Sequence, residues 1–207
     1  LLPIAAGLLG TWLPSFGYLP VLGAEELSLE PWRRLLAQPG LGESLRLTLI
    51  SGLGGTLLAV ALSLGFVACC HDSRVFVLAR RLLAPLLAVP HVAIAIGLAF
   101  LIAPSGWILR LVSPWATGFE LPPQAPTVQD PHGLALALGL AVKEIPFLLL
   151  MTLGALGQVR MPQRLAVARG LGYGPVAAWL KTVLPAVYPL IRLPIYAVLA
   201  FSLSVVD

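Results

Sequence analysis

Charge is what this chain has least of. Asp, Glu, Lys and Arg make up 11% of its 207 residues, against roughly a quarter in a soluble domain, and its mean hydropathy is +0.94. So little polar surface cannot keep a globule of this size in water. Cysteine is nearly missing as well: Cys69 and Cys70 are the only two, and as neighbours at the expected inner end of an apolar run they suit packing better than a disulfide or a zinc site. His71, His91 and His132 fall on separate segments, so no metal site and no metal cofactor is expected. Templates for chemistry fail too. The chain has no Gly-x4-Gly-Lys-[Ser/Thr] phosphate loop, no His-Glu-x-x-His and no Gly-x-Ser-x-Gly, which excludes nucleotide hydrolysis, zinc proteolysis and serine hydrolysis by those routes. The net charge of +4 comes without a basic cluster on one water-facing surface, so nucleic acid is not an expected partner.

What the chain has is long apolar runs. Residues 1–24, 47–70 and 82–109 carry no Asp, Glu, Lys or Arg, and 133–156 and 186–206 carry few. Each reaches the roughly 20 residues that a helix needs to cross a ~30 Å hydrocarbon core. None alternates in polarity as barrel strands do. The expected fold is all-α, a polytopic transmembrane bundle of about five spans, with lipid as its surroundings. The first run holds Pro3, Pro14 and Pro20 and has no basic residue ahead of it, which favours a kinked span over a secretory leader. The chain lacks an initiator Met and stops at Asp207 within an apolar run, so both ends are expected to continue in a longer protein. Two regions are expected: 1–36, the first span with an outer interfacial helix opened by Pro31, and 37–207, the core of the bundle with a cytoplasmic loop at about 157–185.

Sidedness follows from the basic residues. Segments 71–81 and 157–185 together carry Arg74, Arg80, Arg81, Arg160, Arg164, Arg169 and Lys181; the opposite segments carry Arg33, Arg34, Arg46 and Arg110. The excess predicts that the first pair faces the cytoplasm, with the N-terminus cytoplasmic and Asp207 toward the outside. Small residues crowd one stretch, where Gly55, Ala59 and Ser63 share a helix face and permit close backbone approach.

Two groups of residues stand out inside the apolar runs. Lys143-Glu144 with Pro146 places two ionisable groups at membrane depth, where each costs several kcal/mol (roughly 2.5–3.5 on insertion scales) unless it faces a cavity or a partner. One reading is a translocation-path or gating site; the other is a structural ion pair with another span, for example through Arg192. His91 beside Pro90 has the same two readings, a path-lining group or a hydrogen-bonded packing residue.

The most informative stretch is the loop Arg164-Leu-Ala-Val-Ala-Arg-Gly-Leu-Gly-Tyr-Gly-Pro175, continuing to Leu184-Pro185. A helix over 163–171 is expected, with Leu165, Ala168 and Leu171 at i, i+3 and i+6. A turn follows at Leu171-Gly172-Tyr173-Gly174. Pro175 opens a second short helix, Val176 to Val183, which presents Trp179 as an exposed aromatic suited to a groove on another protein.

This loop resembles the signature loop of permease subunits of binding-protein-dependent bacterial ABC importers. That loop has Glu-Ala-Ala, three residues, Gly, and then Leu-Pro with the Pro thirteen residues after the Gly. Here Gly172 and Pro185 are separated by thirteen, Leu184 precedes the Pro, and Ala168 takes the second Ala. The chain departs from the pattern at Ala166, where the Glu belongs, and at Val167, where the first Ala belongs. The resemblance covers most of 37–207, including Ala37-Gln-Pro-Gly-Leu-x-x-Ser-Leu45 and Ala200-Phe-Ser-Leu-Ser204. It is nearest to the N-terminal half of fused thiamine- and iron-type permeases.

The resemblance implies a type I importer fold in the bacterial inner membrane. It implies a subunit that is not itself an enzyme and binds no cofactor, ATP being used by a partner. The implied partners are a cytoplasmic ATPase docked on Leu165, Ala168, Leu171, Gly172, Tyr173, Gly174, Pro175, Val176, Trp179, Leu184 and Pro185, a second permease half, and an external or periplasmic substrate-binding protein. Two other readings stand beside it: an ion-coupled secondary transporter using Lys143 and Glu144, and a purely structural membrane subunit.

Overall fold

The computed structural model describes residues 2–204, so the expected outward position of Asp207 lies outside the described residues. The chain divides into two compact units, 1–46 and 47–207.

In the first unit, α1 (Leu2–Ser15) ends in a turn that uses Gly17 at φ +79°. The chain then doubles back through a 3-10 turn, Pro20–Leu22, closed by an antiparallel bridge between Leu19 and Ala24. Phe16 stacks between Trp12 and Trp32, with ring centroids 6.3 and 6.1 Å apart. Pro31 opens α2 (Glu30–Leu36) as expected, since a missing N–H costs nothing in a first turn. The expected span over 1–24 is corrected. Within the described residues the helical part of that run is α1, 14 residues long. The turn at 16–17 and the bridge at Leu19 take the rest of that run out of the helix.

The second unit is built on α3 (Leu41–Cys70), whose first turns begin before the division, and on α7 (Leu134–Leu156) and α10 (Leu184–Ser204). The small-residue face of α3 is buried as expected: Gly55, Ala59 and Ser63 all point inward. A Cβ at Gly55 would lie 2.9 Å from the Ala137 carbonyl oxygen and 3.1 Å from Leu140 Cβ, so α3 and α7 touch backbone to backbone. Close approach of this kind is how helices pair where lipid supplies no hydrophobic drive.

The expected run over 82–109 is one whole helix and parts of two others. α4 (Arg74–Ala88) stops at Val89, which is extended at φ −72°, ψ 125°; α5 (His91–Ile102) restarts after Pro90; α6 (Trp107–Val112) follows a turn. Pro90 forces the break, because a proline drives the residue before it out of the helical region and offers no N–H. Pro85 is tolerated within α4.

Among the described residues four stretches are long and apolar enough to cross a membrane: Leu41–Cys70, His91–Val112, Leu134–Leu156 and Pro175–Ser204. The fold is all-helical and polytopic, as expected, with four such stretches in place of five. The two basic segments meet at one end of the unit. Asp72 Oδ2 lies 3.2 Å from Arg169 Nη2, and Phe76 shares an apolar cluster with Leu165, Ala168 and Trp179.

Candidate coupling loop and membrane-embedded polar cluster

The loop begins with α8 (Met161–Gly170), two residues earlier than expected because Pro162 fits its first turn. Its end is a full Schellman arrangement. Leu171 caps the helix, Gly172 sits at φ +86°, the Gly172 N–H donates to the Arg169 carbonyl at 2.9 Å, and the Tyr173 N–H donates to the Ala168 carbonyl at 3.2 Å. These bonds satisfy carbonyls that a helix end leaves unpaired. Pro175 then starts α9 (Pro175–Ala178) behind an extended Gly174.

Two expectations fail here. The second helix does not stop at Leu184-Pro185. A π turn over Trp179–Val183, in which the Leu184 N–H donates to the Trp179 carbonyl, carries it straight into α10. The wider turn places Pro185, which has no N–H, at the change from π to α spacing, where the regular ladder is already interrupted. Arg164 Nη1 donates to the Thr182 carbonyl of that turn at 3.2 Å, tying α8 to it.

Nor is Trp179 exposed. It is fully buried, among Val67, Phe76, Leu165 and Val183, so it holds the loop down and does not project from it. Leu165 and Ala168 are buried with it. Leu171, placed on their face by periodicity, is 74% exposed because it is the cap and its backbone has left the helix. The exposed apolar side chains of the loop are Val167, Leu171, Tyr173, Val176 and Leu180, with Lys181 Nζ 4.4 Å above the Tyr173 ring. Of these, Val167 and Leu180 were not anticipated; the π turn rotates Leu180 outward. Gly172, Gly174, Pro175 and Pro185 are exposed and Leu184 is half-buried.

Inside the bundle, Lys143 and Glu144 are both buried and diverge, as their 100° separation requires. Lys143 Nζ donates to the Val89 carbonyl at 2.7 Å. Glu144 Oε1 lies 3.5 Å from His91 Nε2. Both partners flank Pro90, so α7 grips the break between α4 and α5 on either side. The expected partner Arg192 is exposed; the ionisable neighbour that the structure supplies to Glu144 is His91. A backbone carbonyl as acceptor for Lys143 has no sequence signal beyond the proline that frees it. The His91 ring also packs on Phe201, with centroids 4.9 Å apart. Pro146 is buried within an unbroken α7.

His91, Lys143 and Phe201 border a cavity of about 430 Å3 between α5, α7 and α10. At its far end the 113–133 segment is fastened twice. Thr127 Oγ1 donates to the Ile102 carbonyl at 2.6 Å, and the Asp130 carboxylate accepts the N–H groups of Ala135 and Leu134, each at 2.8 Å. The bond from Ala135, with those from Leu134 and His132, holds the Asp130 carboxyl below the usual carboxylate range. Among the described residues no group of His, Cys, Asp and Glu is placed to hold a metal ion.

No family profile matches the chain, and no solved structure matches it. A curated relative does: the inner membrane ABC transporter permease protein YnjC of Escherichia coli (strain K12) is 34% identical over 181 residues, which cover 87% of this chain. The chain is homologous to an ABC transporter permease. It spans about a third (34%) of that permease's length. The relative is by name an inner-membrane transport component, in agreement with the membrane-embedded character read from the sequence.

Proposed function

We propose that this chain is the part of an ABC importer permease that borders the substrate path and docks a cytoplasmic ATPase through residues 164–185. The observation that carries the reading is the loop's construction. Leu165, Ala168 and Trp179 anchor it to the bundle, a glycine-dependent turn shapes it, and Val167, Leu171, Tyr173 and Val176 are left outside. An anchored apolar knob at the basic, cytoplasm-facing end suits a groove on a partner. The name of the relative supports a permease; the importing direction follows from the loop's likeness to importer permeases. On this reading ATP is hydrolysed by the partner, a second permease half completes the path, and an external binding protein delivers the solute to the outer segments, including 104–132. Ala166, exposed where the family pattern has Glu, leaves the docking contact to apolar surface.

Leu171→Asp in the full-length protein should reduce retention of the ATPase during co-purification roughly tenfold, the effect of losing an apolar anchor worth more than ~1 kcal/mol. Unchanged retention together with unchanged ATP-dependent uptake would overturn the assignment. Uptake that persists without ATP and collapses with the proton gradient would instead favour an ion-coupled transporter using Lys143 and Glu144.

Gly172→Val isolates the turn. At φ +86° any Cβ is strained and a branched one most of all, yet a side chain there would meet nothing within 4 Å. Membrane insertion should therefore be normal while ATP-dependent uptake falls several-fold, of the order set by ~1–3 kcal/mol of backbone strain. Wild-type uptake in correctly inserted Gly172→Val protein would refute the role of the turn.

A further inference from the structure

We propose that the cavity between α5, α7 and α10 binds a compact solute with an apolar, ring-sized body and a single anionic or hydrogen-bond-accepting head. Its volume of about 430 Å3 falls within the range of small-molecule sites. Leu98 and Leu136 form aliphatic walls and Phe201 an aromatic one, while Lys143 and His91 supply the charged or polar side chains of the lining. Lys143 carries three N–H donors and directs one to the Val89 carbonyl. Glu144, which could have neutralised it, turns to His91 and does not border the cavity. The cavity therefore meets donors at its inner end and no carboxylate. An anionic or accepting head is matched there, a cationic head is opposed, and a wholly apolar molecule leaves donors unsatisfied.

The shape favours a compact molecule over an acyl chain. His91 and Lys143 mark one end, and Ala135, Ile102 and Val128 the other. Eight residues of α7 separate the ends, about 12 Å at 1.5 Å per residue. Val128 stands next to the Thr127–Ile102 bond, so the fastened outer segment bounds the cavity where a longer tail would have to continue. That such a solute is cargo rests on the transport reading; that it binds does not.

The test is protection of a cysteine on the cavity wall. Leu136→Cys is placed in a full-length Cys69→Ser, Cys70→Ala background and labelled in native membrane vesicles with a permeant maleimide. The probes are 1-naphthoate, 1-naphthalenemethanol and 1-naphthylmethylammonium. At four times its midpoint concentration naphthoate should slow labelling about fivefold. The alcohol should act only at higher concentration and the ammonium least. Lys143→Gln, which keeps a donor for the Val89 carbonyl, should raise the naphthoate midpoint roughly tenfold or more, as loss of a charge-assisted bond does.

Equal protection by the three probes, or none by naphthoate, overturns the proposal. Equal protection by oleate added to the same vesicles assigns the cavity to lipid and overturns it as well. These arms need only the variant that carries Leu136→Cys, so they decide the matter even if Lys143→Gln does not fold. ATPase retention and ATP-dependent uptake are measured on vesicles that hold the unsubstituted protein. If they fail while naphthoate protection holds, the transport reading falls and the site stands.

Discussion

Trp179→Ala should destabilise the folded chain by about 3–5 kcal/mol, the loss expected when a buried aromatic is cut back to a methyl. Trp179 is fully buried in an apolar cluster that draws residues from α3, α4 and α8, so its removal opens a void beneath the loop. Trp179→Phe separates packing from hydrogen bonding. The indole Nε1 has no hydrogen-bond partner among the described residues, so Phe sacrifices only volume and should retain most of the stability. The check is the unfolding midpoint in detergent micelles, followed by far-ultraviolet circular dichroism as dodecyl sulfate is titrated in. An Ala variant as stable as wild type would show that the loop does not rest on this side chain.

Gly55→Leu should cost about 1–3 kcal/mol or more, because overpacking displaces backbone as well as side chains. Even a bare Cβ there falls 2.9 Å from the Ala137 carbonyl oxygen, so α3 has to withdraw from α7, and the loss should be visible as reduced folded yield. The comparison position is Gly65, on the same helix, where an added Cβ meets nothing within 4 Å. Gly65→Ala should be neutral or stabilising by up to ~1 kcal/mol through helix propensity. If Gly55→Ala and Gly65→Ala behave alike, close contact of α3 with α7 is not what orders the bundle.

The two positions show where sequence reasoning succeeds and where it stops. Gly55, Ala59 and Ser63 declared a buried face because the pattern depends only on helical spacing and side-chain size, both local properties. The turn at Gly172 was legible for the same reason: Gly at C′ followed by Pro fixes a helix end whatever lies around it. The fate of Trp179 was not. Whether an aromatic on a loop helix points outward depends on what folds beneath it, and Val67 and Phe76, which share the cluster that buries Trp179, lie more than a hundred residues earlier in the chain.

Pro185 misled in a related way. A proline usually closes a helix, but a π turn just before it absorbs the missing N–H, and no sequence rule used here anticipates that turn. At Pro90 the ordinary rule held: the run over 82–109 is interrupted there, while Pro85 passes within α4 without breaking it. The partners of Lys143 and Glu144 were illegible because one is a main-chain oxygen. The pair was singled out by its cost in lipid, which is a property of composition, while its destination is a property of packing.

The seamless passage from the loop into the last span has a mechanical meaning. Pro175–Ser204 is a single helical stretch of 30 residues, about 45 Å end to end, with the Gly172 turn at one tip and Phe201 near the other. A helix resists bending far more than a flexible linker does, so a sideways push at the loop end would travel along it to the aromatic wall of the chamber some 39 Å away, with the π turn and Pro185, Pro189 and Pro194 as the points where it gives.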